Sequence, residues 1–110
     1  MSKRDSICYI RKKVEERELW EQLAEECCEL SHAALKMIRA RGLSGNVTPI
    51  KAEEAEEKMR MEAIHVCIIM QTLGIGIPQR TIENAPEWER WERRLREAEE
   101  HGQFCKETRA

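Results

Sequence analysis

One stretch of the sequence indicates how the chain folds: residues 20–41, which read WEQLAEECCELSHAALKMIRAR. Apolar residues recur in it three and four positions apart, which is the spacing of one face of an α-helix. That stripe consists of Trp20, Leu23, Cys27, Leu30, Ala34 and Ile38. Three acids lie beside the stripe, Glu25, Glu26 and Glu29, so one side of the predicted helix is strongly negative.

A second stretch, residues 61–70, reads MEAIHVCIIM and is apolar almost all the way round. A helix of this composition is normally buried on several sides. Glu62 and His65 are the only acidic or basic residues in it. Because an unpaired buried carboxylate is costly, we expect the acids of the first helix, together with a bound cation, to compensate the charge of Glu62.

Composition favours an all-α protein. The chain has 110 residues, of which 36% are charged and 5% aromatic, and it contains only five Gly and three Pro. We therefore predict a single domain over residues 1–110, built as a helical bundle of two long antiparallel helices plus a C-terminal helix. A chain this small has more apolar surface than one core can bury, so we expect oligomerisation to complete the bundle.

Glycines and prolines predict where the helices end. The first long helix is expected over about residues 15–41, with Gly42 as its C-terminal cap. Thr48-Pro49 resembles an N-cap followed by proline at the first helical position, so the second long helix is predicted to begin there and to end at Gly74. The motif-bearing core thus covers about residues 15–75.

The two ends of the chain are less regular. Residues 1–18 carry sparse apolar positions and are predicted to form a short helix or to extend the next one, with their basic residues as a solvated end. A C-terminal helix is predicted over about residues 86–101, after Pro86. Its apolar face consists of Trp88, Trp91, Leu95 and Ala98.

Charge and cysteine usage exclude several classes of function. A net charge of −2 is not that of a general nucleic-acid binder, and no apolar run is long enough to span a bilayer. The five cysteines are odd in number and form no C-x-x-C pair, which favours reduced thiols. Cys27 and Cys67 fall in apolar runs and are expected to be small core residues. We predict a cytoplasmic protein without membrane or nucleic-acid partners.

The spacing of the acids allows a metal site. Glu26 and Glu29 are three apart, as are Glu62 and His65, so each pair spans one helical turn. Two such helices packed antiparallel would bring four donor groups together, and three carboxylates favour Mg²⁺ or Mn²⁺. Such a site suits phosphoryl chemistry. Glu25 falls nearly opposite the stripe, so it is the weaker ligand candidate and is expected to orient Glu29 or to handle water.

These residues resemble the MazG-like all-α nucleoside triphosphate pyrophosphohydrolases, whose signature is E-E-x-x-E followed on the next long helix by E-x-x-D. The first half stands as Glu25-Glu26-Cys27-Cys28-Glu29, and the second as Glu62-Ala63-Ile64-His65, with His where the family has Asp. The likeness covers about residues 20–73. It implies a Mg²⁺-dependent enzyme that hydrolyses a nucleoside triphosphate to the monophosphate and pyrophosphate.

The resemblance also implies residue roles. Glu26, Glu29 and Glu62 match metal ligands, and His65 occupies the fourth ligand position. Glu25 matches the first motif acid and, with Glu29, forms the predicted catalytic pair.

The substrate-binding candidates are Lys36 and Arg39 for phosphates and Trp20 for stacking on a base. Surface charge explains Lys36 and Arg39 equally well, and a core or dimer contact explains Trp20 better. Members of the family usually assemble as dimers or tetramers, which implies a homodimer or homotetramer here.

His65 opens alternatives, because imidazole is a poor Mg²⁺ ligand. It is compatible with a preference for Mn²⁺, with a residue that only orients a ligand, or with a member whose catalysis is weak or lost. Glu54 and Glu57 provide another E-x-x-E pair, in polar surroundings.

Two other functional classes fit parts of the sequence. Glu29-x-x-His32 and Glu62-x-x-His65 are both Glu-x-x-His, the paired motif of di-iron carboxylate bundles. A helical interaction or regulatory module without catalysis is the third hypothesis, with Trp88 and Trp91 contacting a partner.

Overall fold

The computed structural model describes residues 2–43, 45 and 50–103, and all regular secondary structure in these residues is helical. The helices are α1 (Lys3–Lys13), α2 (Glu16–Ala40), α3 (Ala52–Thr72), α4 (Gln79–Glu83) and α5 (Glu87–Glu100). The predicted all-α class is confirmed. The chain forms two compact units, Met1–Gly76 with α1 to α3 and Ile77–Ala110 with α4 and α5. Within the described residues, no helix combines the length and the apolar character that crossing a membrane requires.

In the first unit, α2 and α3 form an antiparallel pair. Arg41, just after α2, lies 3.7 Å from Glu56 near the start of α3. Further back on α2, Glu26 lies 3.4 Å from His65 in the second half of α3. Ala33 and Ala55 are 3% and 2% exposed, and such small side chains allow two helices to approach closely.

Glycine ends both long helices, as predicted. Gly42 has φ +68°, and its N–H donates to the Arg39 carbonyl at 3.1 Å, which caps the end of α2. Gly74 has φ +80° and caps α3 through a 3.0 Å bond to the Gln71 carbonyl. At its start, α3 follows Lys51 as N-cap. The predicted start at Thr48-Pro49 lies outside the described residues.

The N-terminal segment forms its own helix, α1, rather than an extension of α2. Ser2 and Asp5 form a capping box, in which the Asp5 N–H donates to the Ser2 hydroxyl and the Ser2 N–H donates to the Asp5 carboxylate, both at 3.2 Å. The Ser2 hydroxyl also donates to that carboxylate at 2.8 Å. This hydrogen bond, helped by the Ser2 backbone N–H, holds the pKa of Asp5 below its ordinary value. Arg11 Nε donates to the Thr72 carbonyl at 2.6 Å, so the basic start is not only a solvated end. It satisfies a carbonyl at the end of α3, where a cation also suits the helix dipole.

The buried face of α2 lies one residue round from the predicted stripe. Trp20, Cys27, Ala34 and Ile38 are exposed, whereas Leu23 and Leu30 are half-buried, so the predicted core stripe is wrong at four of its six positions. The side chains that face α3 are Leu19, Leu23, Glu26, Leu30, Ala33 and Met37, all buried or half-buried. Their alternating spacing of four and three is that of a seam between two helices. The seam therefore includes a carboxylate.

In the described residues, α3 packs along α2 and is contacted near its end by α1. Ala55, Ile69 and Thr72 are buried, whereas Ile64 and Ile68 are 49% and 52% exposed. The prediction that this helix is covered on several sides is therefore wrong for the single chain. Cys27 and Cys67 are likewise exposed rather than small core residues. The reason is that α2 and α3 bury the faces they turn to each other and α1 contacts only the end of α3, so other apolar side chains of both long helices stay exposed.

The second unit contains the short helix α4 and the longer helix α5. Its helix α4 was not predicted, whereas α5 begins at Glu87 after Pro86, close to the predicted start. Trp88 Nε1 donates to the Ile82 carbonyl at 2.6 Å, which fixes the start of α5 against the end of α4. Trp88 and Trp91 remain 57% and 61% exposed beside an apolar groove of about 420 Å³.

Candidate metal centre

Three chemically active side chains from both long helices converge in the seam of the first unit. Glu26 comes from α2, and Glu62 and His65 come from successive turns of α3. Each offers one ligand atom, and these atoms all lie within 4.8 Å of one another. His65 Nδ1 is 3.4 Å from Glu26 Oε2 and 3.5 Å from Glu62 Oε2. Across the described residues, this is the one grouping of three acidic, histidine or cysteine side chains with metal-binding geometry.

The two carboxylates are sheltered and the imidazole is not. The side chains of Glu26 and Glu62 are 17% and 14% exposed, whereas that of His65 is 43% exposed. On α2, the half-buried Leu23 and Leu30 lie about one turn before and one turn after Glu26. Two like charges repel more strongly where water is partly excluded. The pair therefore needs a positive charge beside it, and the site is open to solvent on the His65 side.

Gln22 orients one of the carboxylates. Its Nε2 donates to Glu26 Oε1 at 3.1 Å, while the other oxygen, Oε2, faces His65. Gln22 lies one turn before Glu26 on α2, the i, i+4 relation in which helical side chains meet. It was missed in the sequence because an uncharged amide on an acidic helix gives no signal of its own.

The other two acids of the first motif lie outside the cluster. Glu25 and Glu29 are exposed on α2, and neither belongs to the group of ligand atoms within 4.8 Å in the described structure. At about 100° per residue, Glu29 lies about 60° round the helix from Glu26 and Glu25 about 100° round, on the same side. Glu26 occupies the seam, so its two neighbours flank the site.

The predicted substrate-binding residues divide between the two sides of α2. Lys36 is half-buried and Arg39 exposed. By the same helical angles both lie on the side of Glu29, further towards the end of α2. Trp20 is 46% exposed and lies about 180° round the helix from Glu29, on the opposite side.

The alternative ligand pairs are also exposed. Glu54 and Glu57 lie in the first half of α3, where Glu57 approaches Arg60 at 3.9 Å. Glu29 and His32 are exposed on α2, and in the described residues His32 does not join Glu62 and His65. The two Glu-x-x-His motifs therefore do not converge within one chain.

The residues present suit a divalent cation. Two carboxylate oxygens and one imidazole nitrogen can bind such an ion on one side, and the open side at His65 leaves room for water or phosphate oxygens. For Mg²⁺ the fit is partial, because this ion strongly prefers oxygen ligands and the third donor is a nitrogen. The three donors fit a cation that accepts both oxygen and nitrogen ligands.

Compared with protein-family models, with curated proteins and with solved structures, the chain finds no match in any of the three. The resemblance to the MazG-like enzymes therefore stands on the motif residues alone. The geometry of Glu26, Glu62 and His65 is an independent observation, since it comes from how α2 and α3 pack.

Proposed function

We propose that this protein is a nucleoside triphosphate pyrophosphohydrolase that depends on a divalent cation, Mg²⁺ or Mn²⁺, and releases the monophosphate and pyrophosphate. The observation that supports the proposal is the convergence of Glu26, Glu62 and His65 across the seam, with all three ligand atoms within 4.8 Å. A pair of sheltered carboxylates is unfavourable in a bundle unless a cation accompanies it.

In this proposal the three clustered residues hold the cation, which supplies charge neutralisation for the phosphate oxygens when bound. Gln22 keeps the Glu26 carboxylate turned towards the site through its 3.1 Å hydrogen bond. Glu29, exposed and about 60° round the helix from Glu26, is placed to accept a proton from an attacking water at the open edge. Glu25 lies on the same side and orients Glu29 or that water.

The basic residues of α2 provide the phosphate contacts. Lys36 lies ten positions beyond Glu26, about 15 Å along the helix axis, and on the side of Glu29. It would contact the part of the substrate furthest from the cation, with Arg39 one turn beyond. Trp20 is on the opposite side of α2, so base stacking by Trp20 would require substrate to reach around the helix or a site shared between subunits.

Assembly as a homodimer or homotetramer is part of the proposal. Several large apolar side chains are exposed on the two long helices: Trp20, Leu35 and Ile38 on α2, and Met61, Ile64 and Ile68 on α3. Only Leu19, Ala33, Ala55 and Ile69 are buried apolar residues in the described chain. A second copy that covered the exposed side chains would supply the core that one chain lacks.

The test is product analysis on a panel of nucleoside triphosphates, each with Mg²⁺ and with Mn²⁺. We expect pyrophosphate, not orthophosphate, as the inorganic product. Glu26→Gln should lower kcat/KM on the order of 100-fold, as loss of a metal ligand or its support does. Glu57→Gln is the matched control, because Glu57 is an exposed acid on α3 outside the cluster.

Two results would contradict the proposal. Orthophosphate release would place the cleavage at another bond. Full activity in Glu26→Gln would show that the reaction occurs at another site. The Glu29→Gln variant then tests the proposed general base, since it should lower kcat while cation affinity changes little.

A second candidate is a helical interaction module without catalysis, and one observation favours it. His65 Nδ1 lies at nearly equal distances, 3.4 and 3.5 Å, from both carboxylates, so the imidazole can bridge them without an ion. In that case the purified protein would bind no divalent cation and release no pyrophosphate, and the exposed Trp88 and Trp91 would be the candidate contact surface.

A further inference from the structure

The composition of the cluster differs from an all-oxygen site in one donor. Glu26 and Glu62 present carboxylate oxygens, and His65 presents Nδ1 towards both of them, at 3.4 and 3.5 Å. The atom of His65 that faces the carboxylates is therefore a potential ligand itself. A cation held between the two carboxylates would meet an imidazole nitrogen as its third protein donor.

The nature of this donor decides which cations bind well. Mg²⁺ binds oxygen, holds its waters tightly and gains little from imidazole. First-row transition ions accept imidazole, with affinity generally rising from Mn²⁺ through Fe²⁺ and Co²⁺ to the later members of the series. Replacing a carboxylate by an imidazole also removes one negative charge, which weakens a purely electrostatic site. The exchange therefore lowers Mg²⁺ affinity more than the affinity of a transition ion.

We propose that the Glu26, Glu62 and His65 cluster selects a first-row transition dication over Mg²⁺, that His65 is the residue that sets this selectivity, and that Mn²⁺ is the resident ion. This inference rests on the proposed function in one respect, that the cluster holds a cation. Mn²⁺ is the member of the series that also binds carboxylate and phosphate oxygens well, which suits two carboxylate ligands and a triphosphate substrate.

The burial pattern supports this role for His65. Its side chain is 43% exposed and lies at the open edge of the site, whereas both carboxylates are more than four-fifths buried. A histidine that only filled space would gain from facing the apolar seam. His65 instead directs a ring nitrogen at two acids.

The experiment measures binding of Mn²⁺ to the full chain by the loss of the free-ion electron paramagnetic resonance signal, and then displacement of Mn²⁺ by Mg²⁺. The variant is His65→Asp, which restores an all-carboxylate cluster. We expect the ratio of Mn²⁺ to Mg²⁺ affinity to fall on the order of tenfold or more in His65→Asp. The matched control is His32→Asp, because His32 is exposed on α2 outside the cluster and should leave the ratio unchanged.

A spectroscopic readout separates ligation from a merely structural role. Bound Mn²⁺ should show electron spin-echo modulation from an imidazole nitrogen in the unaltered protein and in His32→Asp, and should lose it in His65→Asp. Circular dichroism of each variant confirms that the helices are retained. If His65→Asp does not fold, the modulation in the unaltered protein still tests whether histidine binds the ion.

The outcomes distinguish this inference from the proposed function. An unchanged affinity ratio in His65→Asp, or bound Mn²⁺ without nitrogen modulation, would overturn the role of His65 while pyrophosphate release continued to support the hydrolase. Tight Mg²⁺ binding that Mn²⁺ cannot displace would also overturn the selectivity. Failure to bind either ion would overturn both proposals.

Discussion

Replacing Glu62 with Gln should stabilise the cation-free fold and abolish the effect of the cation on it. The carboxylates of Glu62 and Glu26 are sheltered, at 14% and 17% exposure, and their ligand atoms lie within 4.8 Å. Glutamine has nearly the same shape as glutamate and removes the repulsion between the two charges. The comparison is made at one pH for both proteins, first without and then with the cation.

The size of the effect follows from Coulomb's law. Two unit charges at that separation repel by about 3.5 kcal/mol at an effective dielectric constant of about 20. Each charge is shared by two oxygens, and the second oxygen of Glu26 is turned towards Gln22. Thus we expect a net gain of about 1–2 kcal/mol in the free energy of unfolding, which raises Tm by several degrees in a domain of this size.

With a saturating cation, the unaltered protein should be more stable than the Glu62→Gln variant. In the unaltered protein, Mn²⁺ at about 100 times its Kd adds about 2.7 kcal/mol to the free energy of unfolding. The Glu62→Gln variant has lost a ligand and should gain far less. Thermal unfolding followed by circular dichroism, with a chelator and then with Mn²⁺, measures both halves of the prediction at one pH.

The control is Glu57→Gln on the same helix, whose exposed side chain should change the free energy of unfolding by no more than about 0.5 kcal/mol in either condition. A Glu62→Gln variant that was less stable than the unaltered protein in chelator would refute the claim that the two carboxylates repel. A cation-dependent rise in Tm that survived the substitution would refute the claim that Glu62 binds the ion.

Three further predictions concern the fold and assembly. Gly74→Ala should lower the free energy of unfolding by about 1 kcal/mol, because φ is +80° and the new Cβ would lie 3.2 Å from Arg11 Nη2. Gly45→Ala is the control in urea denaturation and should be neutral, because the new Cβ would meet no described atom within 4 Å. Arg11→Met should also cost about 1 kcal/mol by removing the hydrogen bond to the Thr72 carbonyl, and faster amide exchange confined to the last turn of α3 would show it. Ile64→Glu should lower the assembly state measured by light scattering, because Ile64 is 49% exposed among the apolar side chains of α3; an unchanged mass would contradict self-association through these side chains.

The helical framework was predictable because its signals are local. Glycine at a left-handed position ends both long helices, and this requirement is visible in the sequence at Gly42 and Gly74. The short helix α4 was missed because five residues between Pro78 and Asn84 cannot establish a period. Which apolar stripe of α2 faces α3 was predicted wrongly, because the stripes through Leu19 and Trp20 are adjacent and both apolar, and only the packing partner distinguishes them.

The sequence predicted that Glu62 would lie beside an acid of α2, but not which of the acids of α2 it would be. Glu62 lies inside the apolar half of α3, and this predicted that a carboxylate of α2 would lie beside it. In the structure that carboxylate is Glu26. The i, i+3 rule treats Glu26 and Glu29 alike, whereas the seam passes through Glu26 and leaves Glu29 exposed. Spacing along one helix fixes which side chains are neighbours, but not which of them meets the opposing helix.

The position of the carboxylates is the strongest physical argument that the first unit has a function. On α2, Glu26 takes the seam position between Leu23 and Leu30, and on α3, Glu62 lies four residues before the half-buried Val66. Apolar side chains at both places would remove the repulsion and the desolvation cost, and such replacements of buried charges are often stabilising. Local rules of helix packing are obeyed along the rest of the seam and broken where its two acids and one histidine meet. Conflicts of this kind are expected at sites that bind something, since the ligand supplies the compensation that the chain alone lacks.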